Sequence, residues 1–312
     1  MKRDLDTLMS DKEIDALWVT GPAQHNAAMS YFTGVAHLTQ AELIKKQGER
    51  PVLFHASMER EEAGRTGLET VNLAKYEFKK LLEETGGDAV KARARMYRLM
   101  LEEVDLLEGR VAVYGKRDVG RAWGEYSALE DLLPGIELIG EGTSSLLLQA
   151  RATKDEDEVE QIRQMGKITT EVVSRVQALL TSARVNWEEA VLQQDGSLIK
   201  VKDIKSKTKL RMKELGAENH KGAIFAIGRD AGVPHSSGTA SDVLRLGKTI
   251  VFDIFPCQEG GGYFYDFTRT WCLGYAPEAE RNLYQAVHDV YQTILGEAQM
   301  GDHAPALQER TC

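Results

Sequence analysis

Long apolar runs are missing from this chain. Nowhere do about 18 apolar residues follow one another, the length a helix needs to cross a bilayer, and the opening Met1-Lys2-Arg3-Asp4-Leu5-Asp6 has no apolar signal-peptide core. Neither a membrane partner nor export by an ordinary signal is therefore expected. Cysteine is scarce too. Cys257, Cys272 and Cys312 are odd in number and lack metal-ligand spacing, which argues against a disulfide framework and fits a reduced, cytoplasmic setting. Positive charge is in deficit: the formal net charge of −9 and pI near 5.4 argue against a nucleic-acid partner, which needs a basic face. The basic stretch from Lys200 to Lys213 reads as a solvated helix face rather than a phosphate track. Internal repeats and low-complexity segments are also lacking.

What is present is 312 residues at 42% hydrophobic content, enough for two domains with separate cores. Residues 1–145 alternate helical and strand patterns: a short helix at 5–10, a buried strand at 15–21, a β region from Tyr31 to Gly34, a strand at 51–55, a charged helix at 58–65 and a strand at 111–115. The alternation predicts an α/β domain. His25, His37 and His55 lie within it without ligand spacing and read as structural. A boundary is expected near Gly140-Glu141-Gly142-Thr143, and a second domain over 150–312. There Thr153 is expected to cap an acid-rich helix running to Leu180, Asn186 to cap a second, and a third to span 201–215 before Gly216. A strand at 223–228 and an amphipathic helix at 278–300 complete the pattern.

Two aspartates carry the chemistry. Thr249-Ile250-Val251-Phe252-Asp253-Ile254-Phe255 reads as a buried strand, and Tyr263-Phe264-Tyr265-Asp266-Phe267-Thr268-Arg269-Thr270-Trp271 as its antiparallel return after a glycine cluster. Placing Asp253 opposite Asp266 puts the hairpin centre between Glu259 and Gly260, where a turn is cheap. Two facing carboxylates in an apolar site cannot both ionise without a cation between them, and a divalent metal on oxygen ligands is the simplest occupant. The plainer alternatives stay open at this point: Asp253 satisfied by backbone N–H groups, and Asp266 paired with Arg269 or standing at a sheet edge.

Taken together, these motifs resemble the pita-bread metallopeptidases: Xaa-Pro aminopeptidases, prolidases and creatinases. Arg151-Ala152-Thr153-Lys154 followed by Glu158 and Ile162-Arg163 resembles the entry to the family's catalytic domain, and Val233-Pro234-His235 its substrate-site histidine motif. The strands of Asp253 and Asp266 resemble the first two metal-ligand strands, and Asp15-Ala16-Leu17, Tyr31-Phe32-Thr33-Gly34 and Glu59-Arg60-Glu61 a creatinase-type leading domain. The resemblance implies an α+β protein. A creatinase-type α/β domain would precede a pita-bread domain whose curved antiparallel sheet is flanked by helices. It implies two divalent ions, manganese or cobalt before zinc or iron, with Asp253 on one and Asp266 bridging both. His235 would donate a hydrogen bond to the substrate or the tetrahedral intermediate. Read without the resemblance, His235 is an exposed loop residue. The implied reaction is hydrolysis of a peptide bond beside proline, and the implied partners are a peptide substrate and a second copy of the chain.

The family's metal site also takes a histidine and two glutamates from a later region. His288, mid-helix, and His303, in a polar stretch, lack the strand context of such a ligand, so the expectation is a C-terminally incomplete pita-bread domain, a fragment that is itself inactive. Two other functions compete. One is a metal-free pita-bread module that binds peptides or proteins; the other is hydrolysis of a non-peptide C–N bond, as in creatinase. Retention of both acids favours the metallopeptidase over either.

Overall fold

Strand β1 (Ala16–Gly21) is buried at every position, because its two faces meet two different layers of helices. In the computed structural model, which describes residues 4–309 and 311, the chain divides into two compact units. One holds the chain up to Met165 together with Cys257–Phe264; the other holds Gly166–Pro256 and the chain from Tyr265 onward. Cys312 lies outside the described residues. Cys257 is buried and Cys272 half-buried. Among the described residues no helix is long and apolar enough to cross a membrane.

The first unit is a six-stranded mixed sheet. Its strands are β1, β2 (Ala41–Lys46), β3 (Val52–His55), β4 (Glu69–Asn72), β5 (Gly109–Gly115) and β6 (Ile136–Ile139), in the order β4-β3-β2-β1-β5-β6. β1 runs antiparallel to β2 and parallel to β5. Leu17 and Val19 point to one face, where α1 (Leu5–Asp11) and α2 (Ala27–Thr33) supply Leu5, Met9 and Met29. Ala16 and Trp18 point to the other, against Tyr97, Met100, Leu101 and Leu129. In chain order the further helices of this unit are α3 (Arg60–Arg65), α4 (Phe78–Glu84), α5 (Ala89–Glu103), α6 (Val119–Leu132) and α7 (Leu146–Ala152). Covering both faces is what a sheet with parallel strands requires.

The β expectation for Tyr31–Gly34 fails: these residues end α2, whose N-cap Asn26 accepts a bond from the Met29 N–H. The cap outweighs the β-rich composition of Tyr-Phe-Thr. Thr153 is likewise not the cap expected of it. It follows α7, and α8 (Glu156–Thr181) opens with a reciprocal box in which Asp155 accepts from the Glu158 N–H and Glu158 accepts from the Asp155 N–H.

A polar network is sealed into the first unit. Glu42 on β2 is 2% exposed and accepts from the Trp18 indole at 2.9 Å and from Arg117 at 3.3 Å. Arg117 also reaches Glu125 on α6 at 2.7 Å and donates to the Tyr97 hydroxyl. Tyr97 in turn donates to Glu125 at 3.0 Å, and Arg121 reaches the same carboxylate at 2.8 Å. Burial pushes Glu42 above the ordinary carboxylate range, against the pull of Arg117.

In the second unit β7 (Arg184–Val185) and β8 (Val191–Leu192) form a small hairpin. Asn186, expected to cap a helix, instead accepts from the Glu188 and Ala190 N–H groups across this turn. A side chain that can cap a helix can close a tight turn by the same bonds. Then follow α9 (Val201–Glu214), β9 (Ala217–Glu218), β10 (Ile224–Ile227) and β11 (Thr249–Ile254). After β12 (Cys257–Gln258), which counts with the first unit, β13 (Phe267–Cys272), α10 (Glu278–Glu297) and α11 (Ala304–Glu309) complete the chain. β10, β11 and β13 make an antiparallel sheet with β11 central. The architecture is α+β, helices flanking mixed and antiparallel sheets.

Candidate metal centre

β11 alternates. Ile250, Phe252 and Ile254 are buried, while Thr249, Val251 and Asp253 line a half-open face. Phe252 packs between Phe225 and Trp271, with ring centroids 5.4 and 5.7 Å away, so the apolar side of the ribbon anchors it and the acid side is left accessible. This corrects the expectation of a strand buried on both faces: Asp253 is half-buried and Asp266 exposed.

The register is corrected as well. Asp253 stands opposite Thr268, and Ile254 opposite Phe267, so Asp266 sits diagonally from Asp253, two residues before its direct partner. Gly260, Gly261 and Gly262 all have positive φ, and this run of left-handed residues shapes the tip. Because side chains alternate with period two, Asp266 and Thr268 still share the face of Asp253. The Thr268 hydroxyl donates to Asp253 Oδ1 at 2.7 Å. Asp266 is pushed above the usual carboxylate range by loss of solvent and by the nearby Asp253 charge. A cation beside two carboxylates on one face would offset their mutual repulsion, and hard divalent ions prefer such oxygen donors.

Arg269 does not neutralise Asp266. Its guanidinium lies 3.7 Å from the Phe267 ring centroid and donates to the Thr268 carbonyl at 2.7 Å. Among the described residues no third His, Cys, Asp or Glu brings a ligand atom within 4.8 Å of both acids. His288 is on the exposed surface of α10, stacked on Tyr284, and His303 is exposed before α11.

His235 lies in the loop between β10 and β11, exposed and at φ +59°. The turn beneath it closes through the Ser236 N–H to the Val233 carbonyl at 3.0 Å. Asp230 then clamps the loop by accepting from both the N–H (3.1 Å) and the hydroxyl (2.9 Å) of Thr239. Gly238 lies so close to β10 that an added Cβ would be 2.1 Å from the Phe225 carbonyl oxygen. The loop therefore tracks the outer edge of β10, with β11 and its acid on the other side of that strand. The fold brings the two aspartates together; His235 belongs to a separate loop.

Two contributors escape a reading of the acids alone. Thr268 orients Asp253, and its signal is a hydroxyl two residues after an acid on one strand face. Gly166 on α8 carries the Tyr265 ring so closely that an added Cβ would be 2.8 Å from it, which fixes the residue before Asp266. Its signal is a glycine inside a helical pattern.

Residues 160–311 match the model of metallopeptidase family M24. Compared by sequence with curated proteins, the chain matches none. Among solved structures it is similar to a prolidase from Pyrococcus furiosus, at 18% identity and TM-score 0.66, over 98% of this chain and 76% of that one. A dipeptidase from Pyrococcus horikoshii OT3 gives 19% and 0.70, over 99% and 75%. An X-Pro aminopeptidase from Thermotoga maritima MSB8 gives 19% and 0.69, over 96% and 74%. At these identities the likeness is one of fold.

Proposed function

We propose, for a chain whose residues 160–311 match metallopeptidase family M24 and whose fold is like that of a prolidase, that it is a pita-bread metallopeptidase whose reaction is hydrolysis of a peptide bond beside proline, with divalent ions held at Asp253 and Asp266. The observation that carries this reading is the placement of two carboxyl groups on one open sheet face, Asp253 opposite and bonded to Thr268 and Asp266 two residues before it. When bound, the metal pair supplies Lewis-acid polarisation of the scissile carbonyl and an activated water. Asp253 and Asp266 would provide the oxygen ligands. Thr268 orients Asp253 through its hydrogen bond, as a donor to a metal-binding carboxylate would. His235 is assigned the hydrogen bond to the substrate or the tetrahedral intermediate, as the family resemblance implies. In this reading residues 1–145 are the creatinase-type leading domain, through which the chain pairs as a homodimer, and 150–312 the catalytic domain of a cytoplasmic enzyme.

Two carboxylates are few ligands for two ions. The chain as it stands is expected to hold manganese or cobalt weakly and to turn over no Xaa-Pro peptide; turnover that survives a chelator would overturn the metal mechanism. Calorimetric titration of Mn2+ is the direct test. Asp253→Asn should abolish the uptake, and Thr268→Val should weaken it by about 10- to 100-fold. Uptake untouched by Asp253→Asn would instead favour a metal-free peptide-binding module, the alternative that the lack of a third ligand atom beside the acids supports.

A further inference from the structure

Away from the two acids, the second unit has a cavity of about 740 Å3 between α9 and the turn that follows β9. Its walls explain the lysine-rich helix better than solvation alone does. Lys205, Thr208, Lys209 and Met212 fall at i, i+3, i+4 and i+7 of α9, so one helix face delivers all four to the cavity. Thr208 is 1% exposed, and its hydroxyl has no hydrogen-bond partner among the described residues. Asn219, on the facing turn, has both its Nδ2 and its Oδ1 buried and equally unpartnered. Buried polar atoms are nearly always satisfied, and three orphans on the two facing walls of one cavity point to a polar guest.

Charge gives the guest its sign. Lys205, Lys209 and Lys221 line the cavity, and among the described residues none of them forms an ion pair or side-chain hydrogen bond. Glu218 is the one carboxylate on the wall. Three unpaired ammonium groups call for more than a single negative charge, and a phosphate monoester carries nearly two at neutral pH. The volume exceeds what a bare phosphate fills and lies in the range of small-molecule sites, with Met212, Ala217 and Ala223 as an apolar floor. The Asn219 amide offers an adjoining donor and acceptor, the pairing that reads a nucleobase or amide edge.

We propose that this cavity binds a small organic phosphate monoester, its phosphate held by Lys205, Lys209 and Lys221 and its body by Thr208 and Asn219. Nucleoside monophosphates belong to this class. The site is independent of the metal reading, and its failure would leave that reading untouched.

The test is calorimetric titration of the full chain with AMP and, separately, inorganic phosphate. AMP should saturate a single site and bind more tightly than inorganic phosphate. Lys209 and Lys221 are exposed, so Lys209→Met with Lys221→Met should fold normally and weaken both ligands by about 10-fold or more. Asn219→Leu should weaken AMP by about 5- to 150-fold and inorganic phosphate hardly at all. Absence of saturable AMP binding, or AMP affinity unmoved by the lysine pair, would overturn the site. Equal losses for both ligands in Asn219→Leu, or inorganic phosphate binding as tightly as AMP, would overturn the assignment of an organic body.

Discussion

Arg117→Met is expected to destabilise the first unit by about 3–5 kcal/mol at neutral pH, the cost of breaking a buried ion pair from one side. Arg117 is the cation shared by Glu42 and Glu125, both 2% exposed. Glu125 keeps Arg121 and the Tyr97 hydroxyl in the variant, whereas Glu42 is left with the Trp18 indole, a neutral donor. The pH dependence follows from the direction of the Glu42 shift. Its folded-state pKa is already raised by burial, and removing the guanidinium raises it further. A carboxyl whose pKa is raised on folding favours the folded state while protonated and loses stability as pH climbs through the window above its ordinary value. The deficit of the variant should therefore grow as pH rises past the raised folded-state value of Glu42 and shrink on acidification. Arg117→Lys, which keeps the charge and loses the fork, should cost less. Urea unfolding at several pH values measures all three; a deficit that does not change with pH would show that Glu42 is not the group left stranded.

Gly238→Ala should cost about 3 kcal/mol and unseat the loop that carries His235. The position has φ +85°, and an added Cβ would be 2.1 Å from the Phe225 carbonyl oxygen and 2.9 Å from the Ala226 Cα. Left-handed strain contributes about 1–2 kcal/mol and overpacking against backbone about 1–3 more. The backbone bond from the Phe225 N–H to the Ser237 carbonyl, 3.3 Å long, is the first casualty. Amide exchange should rise across 225–239 and leave β13 protected. Gly232→Ala is the control: an added Cβ meets nothing within 4 Å, so its effect should stay within about 0.5 kcal/mol. Equal losses from both substitutions would mean that the glycines matter for the unfolded chain and not for this close approach.

The parts of the fold legible in the sequence are those with a strong period. The β11 acid strand, helix α9 and helix α10 stand out because apolar residues recur at two or at three to four positions. The acids were legible as a pair, but not their register, since counting inward from them cannot show how three left-handed glycines divide the tip. Asn186 and Tyr31–Thr33 were misread for the same kind of reason. A short polar side chain at a cap or a tight turn makes one set of local bonds, and tertiary packing selects the outcome. The Glu42–Arg117–Glu125 network left no trace, because Ala-Glu-Leu-Ile-Lys-Lys reads as a half-solvated strand until α5 and α6 close over it. Likewise the orphaned amide of Asn219 can be recognised only once its surroundings are fixed in space.

The alternation along β11 gives Asp253 a second task, during folding. A slip of one residue in this ribbon would carry the carboxylate into the space of Phe252 and turn that ring out to water, losing about 2–3 kcal/mol of ring burial and stranding a charge as well. The acid thus works as an indexing tooth: competing alignments of the hairpin are penalised before any ligand is met, and a carboxylate suited to chemistry also tells the chain how to line itself up.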